Sequence, residues 1–328
     1  MNSNVRNSDV LRRIRTYPSS PRRFDPHTAS QEELLRHGLP RRPDPEKEPQ
    51  LARLWKRVFA RPVRFVEAKL AIDPVMSARD PLRASADKFG ASGWAGVVKR
   101  MEQGSDFTQP ATMVFGHWQL PFVPAISPNE TIAVAFWVGL DGHASLDGPA
   151  ATQVLQGGVA AQVNPPPWWW PWAGWSVKWW AWTEWFSLLH KDDDSAKAVA
   201  VENFPVAPGD QIFVTVYTPQ PDFGFISMTN ISRGIGVSVG VPAPSDIVAH
   251  GQSAEWIVEV PENSPHIPLF SPVTFSDCTA ASPNGIFNLT GGFPTAIADP
   301  TDVNAWLTKT SIASPTIAVV EELGVDWF

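Results

Sequence analysis

Several ingredients of common protein classes are scarce or missing in this chain of 328 residues. Cys278 is the single cysteine, so no internal disulfide can form. There is no run of about 18 apolar residues, so we expect no transmembrane helix. Residues 1–25 are polar and arginine-rich, and no secretory signal is visible in them. A reducing compartment fits the cysteine count, but many secreted bacterial proteins also lack disulfides, so the sequence leaves localisation open.

Motifs for several hydrolases and cofactor enzymes are also absent. The chain has no H-E-x-x-H, its histidines lack metal-ligand spacing, and it has no phosphate-binding loop or G-x-G-x-x-G. We therefore expect neither a metal nor a cofactor. Residues 236–240 match G-x-S-x-G, but they alternate like a strand interior and run into Val241 and Pro242. A serine nucleophile needs a strand, a sharp turn and then a helix, so we reject that interpretation.

Charge divides the chain into two parts. Residues 1–90 carry a net charge of +8, and residues 91–328 carry −15. One interpretation is a solvated basic arm beside an acidic domain. A second is that the two parts attract each other, as a pro-segment attracts its enzyme. Nucleic-acid binding is a weaker third, because the arginines lie among acids and prolines without a helical face or interleaved aromatics, and we expect no nucleic-acid partner.

The N-terminal region predicts short helices between irregular segments. Residues 1–29 are polar and poor in aliphatic side chains, which predicts disorder. Residues 30–33 (SQEE) form a capping-box pattern, and Gly38 would end that helix. Residues 39–48 are rich in proline and charge and predict a linker. Residues 49–60 predict an amphipathic helix. Its apolar side chains recur at three- and four-residue spacing: Leu51, Leu54, Trp55 and Val58.

From about residue 90 the pattern changes to short apolar runs with β-branched and aromatic residues between glycine and proline breaks. The clearest runs are residues 131–138, 198–202, 211–217, 234–241 and 256–260. Many short strands without long helices predict an all-β fold, an antiparallel sandwich or barrel. We assign residues 91–280 to this domain and 281–328 to a C-terminal extension that packs on it. Two short helices are expected in the extension, near 302–309 and 319–323.

Residues 165–185 form a tryptophan-rich segment. It holds nine of the sixteen tryptophans, at positions 168, 169, 170, 172, 175, 179, 180, 182 and 185. One interpretation is a hydrophobic lid or strand pair that the fold partly covers. The other is a binding platform for sugar, peptide or membrane, because tryptophan offers a large rigid face with a polar N–H group. The sequence does not decide between them.

Strand periodicity sorts the polar residues of several segments onto faces. In residues 254–260, Glu255 and Glu259 alternate with Trp256 and Val258. If the apolar set faces the core, Glu255 lies on the outer, concave face of a sheet. In the same way Gln156 lies opposite Leu155. Trp137, Gly139 and Asp141 share a face too. We expect an open groove that could hold an extended peptide.

These segments, taken in order, resemble the eqolisin family of acid-acting glutamic endopeptidases, and a bacterial-type member in particular. The resemblance covers about 92–278, and residues 24–40 are similar to a leader of bacterial members. The motifs are W-x-G at 94–96, W-x-x-P at 118–121, WVGLDG at 137–142, LQGGV at 155–159, TEW at 183–185, GD at 209–210, TNIS at 229–232, AEWIVE at 254–259 and VTFSD at 273–277. The resemblance implies a sandwich of two bent antiparallel sheets with a lectin-like topology.

The resemblance also assigns roles. It implies Gln156 and Glu255 as the catalytic pair. Supporting positions beside the pair or near the cleft are Trp94, Trp137, Asp141 and Glu184. A carboxylate at Glu255 suits general base and acid chemistry on water, and the Gln156 amide suits oxyanion stabilisation. The alternative is that both are solvent-facing strand side chains without a catalytic role.

The leading function is therefore an acid endopeptidase acting on protein or peptide substrates, with residues 1–90 as a possible pro-segment. The second hypothesis is a non-catalytic carbohydrate- or protein-binding module that uses the tryptophans. Family members are often secreted and have cystines, which this chain lacks. It also has Gly157 where the family usually has threonine, and the tryptophan-rich segment looks like an insertion before the 183–185 motif.

Overall fold

The fold is described from a computed structural model. It describes residues 8–78, 91–101, 110–126, 130–143, 148–166, 169, 172, 174–261, 266–283, 285–298 and 306–324. Strands dominate, and the α-helices of the described residues lie near the N-terminus. The α-helices are α1 Asp9–Arg13, α2 Gln31–Arg36 and α3 Pro49–Val58. Within the described ranges, no helix has the length and apolar character needed to cross a membrane.

Nineteen strands are formed by the described residues. They are β1 Arg15–Thr16, β2 Arg64–Phe65, β3 Leu70–Ile72, β4 Ala91–Ser92, β5 Trp94–Arg100, β6 Met113–Gln119, β7 Ile132–Leu140, β8 Gln153–Asn164, β9 Ser176–Ser187, β10 Val199–Val201, β11 Gln211–Gln220, β12 Phe223–Asn230, β13 Ile235–Pro242, β14 Ser253–Glu259, β15 Val273–Ser282, β16 Gly285–Phe287, β17 Phe293–Ile297, β18 Thr308–Ser314 and β19 Ile317–Glu322.

The strands form two sheets, which confirms the predicted β-sandwich. The first sheet has the order β1-β13-β12-β11-β6-β15-β19-β18, with β2 also on β13 and β16 on β15. The second has the order β3-β10-β9-β8-β7-β14-β5-β17-β4. Pairing is antiparallel except for the short β2–β13 and β4–β17 pairs. The main core lies between the sheets, and its aromatic members include Trp118, Phe136, Trp256 and Phe275.

The N-terminal segment lies along one edge of the sandwich. β1 and β2 both pair with β13 of the first sheet, and β3 pairs with β10 of the second. Helix α3 buries its predicted apolar stripe in a cluster with Phe115 and Phe213, on the outer side of the first sheet. The α2 capping box is formed as predicted, since the Ser30 hydroxyl accepts from the Glu33 N–H while the Glu33 carboxylate accepts from the Ser30 N–H.

Two local predictions are wrong. Residues 8–29 were predicted to be disordered, yet they form α1 and β1 and bury Val10, Ile14 and Tyr17. They have few apolar side chains, but Val10 and Ile14 pack into the main core. The helices predicted near 302–309 and 319–323 are also wrong where described, because β18 and β19 lie there; residues 302–305 fall outside the described ranges. The short β-branched run in β19 pairs with β15, and such runs are ambiguous from sequence alone.

Candidate active site on the second sheet

A row of paired residues crosses four neighbouring strands of the second sheet. Glu255 on β14 lies opposite Gly139 on β7, and Gly139 lies opposite Gln156 on β8. Gln156 in turn lies opposite Glu184 on β9. Directly opposed residues point to the same face of a sheet. The structure therefore brings Gln156, Glu184 and Glu255 onto one face, although they are far apart in sequence.

Gly139 separates Gln156 from Glu255 along this row. Neighbouring strands are about 4.8 Å apart, so the Cα atoms of Gln156 and Glu255 lie ~10 Å from each other. A Cβ atom at Gly139 would stand 2.9 Å from Cζ3 of Trp137, 3.1 Å from the Leu155 carbonyl oxygen and 3.2 Å from Cβ of Gln156. The Trp137 ring therefore packs over the glycine, and β7 contributes no side chain of its own at this position.

The alternation predicted for β14 and β8 is confirmed. Trp256 and Val258 pack in the core between the sheets, as does Leu155. Ile257 and Val154 belong to a separate apolar cluster on the opposite, outer face. Gly157, where the family usually has threonine, points inward as well. A Cβ there would meet Ile226 at 2.5 Å, so this departure does not alter the face that carries Gln156.

The prediction of an open groove is wrong for this state of the protein. Gln156 and Glu255 both have a relative exposure of 0%. The outer-face cluster around them holds Trp94, Trp137, Trp182 and Phe186, together with Met76 from the N-terminal segment. Because Met76 itself is fully buried there, a segment distant in sequence contributes to the cover.

Sequence reasoning missed the turn that carries Met76. It is a 3-10 turn, Met76–Ala78, that follows β3. Asp73 receives hydrogen bonds from the N–H groups of Val75 and Met76 at 3.0 Å each and from the Trp180 indole. The Ser77 hydroxyl donates to the Ala198 carbonyl at 3.2 Å. The available signal was an aspartate followed by proline, a common turn pattern that says nothing about where the turn docks.

Glu184 contacts the Gln156 amide directly. Nε2 of Gln156 donates a hydrogen bond to Oε2 of Glu184 at 2.8 Å. The amide oxygen of Gln156 is buried and accepts no hydrogen bond from any residue that the structure describes. A buried polar atom without a partner is costly and rare in folded proteins. Gln156 is therefore anchored at one end and has hydrogen-bonding capacity left at the other.

Glu255 has a similar unmet capacity. Both of its carboxyl oxygens are buried, and neither accepts a hydrogen bond from a described residue. Burial raises the pKa of Glu255 well above its ordinary value, and the nearby Asp141 carboxylate raises it further. The Ser253 hydroxyl lowers this pKa to a smaller extent, although it lies outside hydrogen-bond geometry. Burial and the Asp141 charge thus oppose ionisation of Glu255 in this covered state.

Asp141 holds the loop that leads into β14. Its carboxylate accepts from the backbone N–H groups of His250, Gly251 and Gln252 at 2.8, 2.9 and 2.7 Å. Its own N–H donates to the Ser253 carbonyl at 3.1 Å. Burial raises the pKa of Asp141, and the three N–H donors oppose that rise. The structure thus places Asp141 beside the pair as an anchor for the strand that carries Glu255.

Trp137 and Trp94 form part of the outer-face cluster. The Trp137 indole N–H donates to Oε2 of Glu259 at 2.9 Å. The rings of Trp94 and Trp137 meet edge to face, with centroids 4.9 Å apart. Glu259 is fully buried, and sequence reasoning placed it on this face without assigning it a partner. Its contact fixes the indole that lies two residues before Gly139.

Most described tryptophans of the 165–185 segment are packed into the protein. Trp179 and Trp185 pack in or against the inter-sheet core, and Trp180 and Trp182 belong to the outer-face cluster. Trp175 is half-buried and packs against the core. Two others are exposed: Trp169 at 64% and Trp172 at 80%. Positions 168 and 170 fall outside the described residues. The interpretation as partly covered strands is therefore correct for most of the described segment, and a binding platform would have to use its exposed part.

The family model of the peptidase A4 family matches residues 92–321. This chain belongs to the peptidase A4 (eqolisin) family. It is thus a peptidase of the glutamic type. The match extends past the predicted limit of about 278 and includes most of the C-terminal residues. These residues contribute β17 to the second sheet and β19 to the first. The division into segments 1–90, 91–280 and 281–328 stays a prediction.

Solved structures agree with this assignment at the level of the fold. Scytalido-glutamic peptidase bound to a peptide-based transition-state analogue is similar, with a TM-score of 0.51 and 21% identity over 70% of this chain and 98% of that one. SCP-B, an eqolisin in complex with the tripeptide Ala-Ile-His, gives a TM-score of 0.50 and 21% identity over the same shares. No curated protein sequence matches the chain significantly.

Proposed function

We propose that this A4-family chain is an acid-acting endopeptidase that hydrolyses peptide bonds through Glu255 and Gln156. The observation that carries the proposal is the row Glu255–Gly139–Gln156, which puts a carboxyl group and an amide with unpartnered buried oxygens on one face of the sheet. When Glu255 is ionised, its carboxylate and the Gln156 carbonyl oxygen can each accept one proton of the same water molecule. A general base and a polarising amide then flank the same nucleophile.

The reaction follows from these groups. Ionised Glu255 takes one proton from the water while the water oxygen bonds to the peptide carbonyl carbon, and the carbonyl π electrons move to its oxygen. An N–H of Gln156 donates to that oxyanion. When the tetrahedral intermediate collapses, the C–N bond breaks and Glu255 returns the proton to the leaving amine. No charged group other than Glu255 has to change its protonation state.

The expected pH range follows from the Glu255 carboxyl. Its ordinary pKa is about 4.3, and burial raises it in the covered state. As the general base it works only when ionised. When substrate and water replace the cover, the burial penalty falls and the pKa moves back toward its ordinary value. Activity at mildly acidic pH is the result.

A digestion assay tests the pair. A denatured protein substrate is incubated from pH 2 to 7 with the wild type, Glu255→Gln and Gln156→Ala, and fragments are counted by mass spectrometry. Both variants should lose at least about 100-fold in rate, the scale of losing a general base or an oxyanion donor. Glu202→Gln, an exposed position beyond β10, serves as the matched control and should keep wild-type activity. Equal activity in all four proteins excludes the mechanism.

We also propose that residues 1–90 act as a pro-segment. Strand pairing of β1, β2 and β3 with both sheets holds this segment in place, and Met76 lies in the cluster that covers the catalytic face. The Arg57–Asp277 ion pair links α3 to β15. These contacts are mostly apolar packing and backbone hydrogen bonds, so loss of charge attraction at low pH is a minor contribution to release.

Incubation at about pH 4, followed by intact-mass analysis, tests the pro-segment. Loss of roughly the first ninety residues, with a parallel rise in peptidase activity, is the expected result. Glu255→Gln is the control, because a chain that cuts itself needs its own base. A wild-type chain that stays intact and is fully active from the first minute would rule the pro-segment out.

A further inference from the structure

The Gln156 amide has two N–H groups and one carbonyl oxygen, and the structure shows how one N–H is used. Nε2 donates to Glu184 on the neighbouring strand β9. The nitrogen end of the amide therefore faces Glu184. The carbonyl oxygen is bonded to the same carbon and is left for other partners, and it is buried without one among the described residues.

We propose that Glu184 is a positioning residue that fixes the orientation of the Gln156 amide, so that its carbonyl oxygen and not its NH2 group faces the Glu255 side. This inference rests on the proposed catalytic role of Gln156 and Glu255. It assigns to Glu184 no contact with the substrate. Its function is to choose between two amide orientations that have nearly the same shape.

The orientation matters because of what each end of the amide does to Glu255. With the carbonyl oxygen toward Glu255, a water molecule donates one proton to Gln156 and the other to Glu255, and its lone pair is free for attack. The second N–H of Gln156 remains for the oxyanion. In the reversed orientation the N–H groups donate to the Glu255 carboxylate. Such donors stabilise the ionised form, lower its pKa and compete with the water for the base.

Glu184 is well placed for this role. It is 2% exposed and belongs to β9, whose adjacent same-face residues Trp182 and Phe186 are both buried in the outer-face cluster. Strand β9 is paired with β8 on one side and with β10 on the other. A carboxylate on a rigid strand can hold the amide during turnover. Other ionisable side chains on or beside this face are Asp73, Asp141, His143, Lys178, Glu255 and Glu259.

Two substitutions separate amide orientation from side-chain packing. Glu184→Gln keeps the shape, but its amide can accept from the Gln156 NH2 group or donate to the Gln156 carbonyl oxygen, so it allows both orientations. Glu184→Met offers neither a donor nor a strong acceptor, so it also leaves the amide without a preference. Only Glu184→Gln keeps the volume and the hydrogen-bonding capacity of the native side chain.

The measurement is kcat against pH for wild type, Glu184→Gln and Glu184→Met, each with its thermal unfolding midpoint. The acid limb should lie at lower pH in both variants than in the wild type. In Glu184→Gln, kcat should fall about 10- to 100-fold, within the range for a misaligned catalytic group, while KM stays within about threefold. A purely structural role would leave kcat of Glu184→Gln at the wild-type value and would make methionine the more damaging change.

A second measurement is made on the wild-type protein and does not require the Glu184 variants to fold. In the wild-type protein the Gln156 side-chain NH2 signal, assigned by its loss in Gln156→Ala, should show one proton shifted downfield by a charged acceptor and slow exchange with solvent. A wild-type kcat in Glu184→Gln or an ordinary NH2 signal each overturns the inference. If Glu255→Gln stays active, the proposed function fails as well. If only the Glu184 results fail, the catalytic pair stands.

Discussion

A methyl group added at Gly139 should disable the site at its centre. In Gly139→Ala the new Cβ would lie 2.9 Å from the Trp137 ring, 3.1 Å from the Leu155 carbonyl oxygen and 3.2 Å from Cβ of Gln156. Of these neighbours the ring and Gln156 can shift, but the Leu155 oxygen belongs to a paired strand. Overpacking of this kind costs about 1–3 kcal/mol of unfolding free energy. The Gln156 side chain would be pushed from its place beside Glu184.

The consequence for activity should be larger than the consequence for stability. A displacement of about 1 Å in a catalytic group costs on the order of 100-fold in rate, so we expect at least that loss in the rate of substrate cleavage. The assay is cleavage of a quenched fluorescent peptide at the optimal pH, with urea unfolding of the same samples.

Gly240→Ala is the matched control for Gly139→Ala. A Cβ at Gly240 would meet the Phe223 ring at 2.7 Å and the Tyr17 hydroxyl at 3.0 Å, on β13 of the other sheet. It should lower stability to a similar degree and leave the cleavage rate per folded molecule unchanged. If Gly139→Ala cleaves at the wild-type rate, or if both variants lose activity equally, the chemistry does not occur at the row Glu255–Gly139–Gln156.

Three further outcomes follow from the contacts around the pair. Asp141→Asn keeps at most one acceptor oxygen for three backbone N–H groups, so urea unfolding should show a loss of about 1.5–3 kcal/mol for the hydrogen bond to a charged group. Removal of the Asp141 charge should also move the acid limb of kcat to lower pH, because that charge raises the pKa of Glu255. An acid limb that does not move would contradict this electrostatic link. Trp137→Phe removes the indole N–H that Glu259 accepts and should cost about 1–3 kcal/mol, whereas an unchanged unfolding curve would mean that this contact contributes nothing. Burial raises the pKa of Glu255 in the folded protein. The stability that comes from its bound proton is therefore fully present below the pKa of the unfolded chain, about 4.3. It is lost as the pH rises toward the pKa of the folded protein. Glu255→Gln should therefore raise the Tm more at pH 7 than at pH 3, and a Tm difference that does not depend on pH would refute the assigned cause.

The sandwich and the faces of its strands could be predicted because both depend on local pattern. Alternation along residues 254–260 placed Glu255 and Glu259 together, and the same rule placed Gln156 opposite Leu155. Side-chain period two is a property of the extended backbone, so it survives whatever the strand packs against. The ordered motifs carried the resemblance, which supplied Gln156 and Glu255 as the pair and Glu184, Trp94, Trp137 and Asp141 as supporting positions.

Errors arose where a segment takes its structure from a distant surface. Residues 8–29 have too few apolar side chains to predict order, yet β1 is held by backbone bonds to β13. β19 became a strand because β15 offered it an edge. The contact between Glu184 and the Gln156 amide is likewise a matter of register between β8 and β9, which residue identity does not encode.

The amino-acid sequence by itself determined the all-β class and the polar and apolar faces of the strands, because these follow from backbone geometry, and its motifs carry the resemblance that implies the candidate catalytic pair. Only the tertiary structure decided that Gly139 separates Gln156 from Glu255, that Asp141 anchors a loop, and that the face with Gln156 and Glu255 is covered by a cluster that includes Met76. Those features depend on strand register and on packing between residues as far apart as Met76 and Ile257, and such long-range contacts exist only once the whole chain has folded.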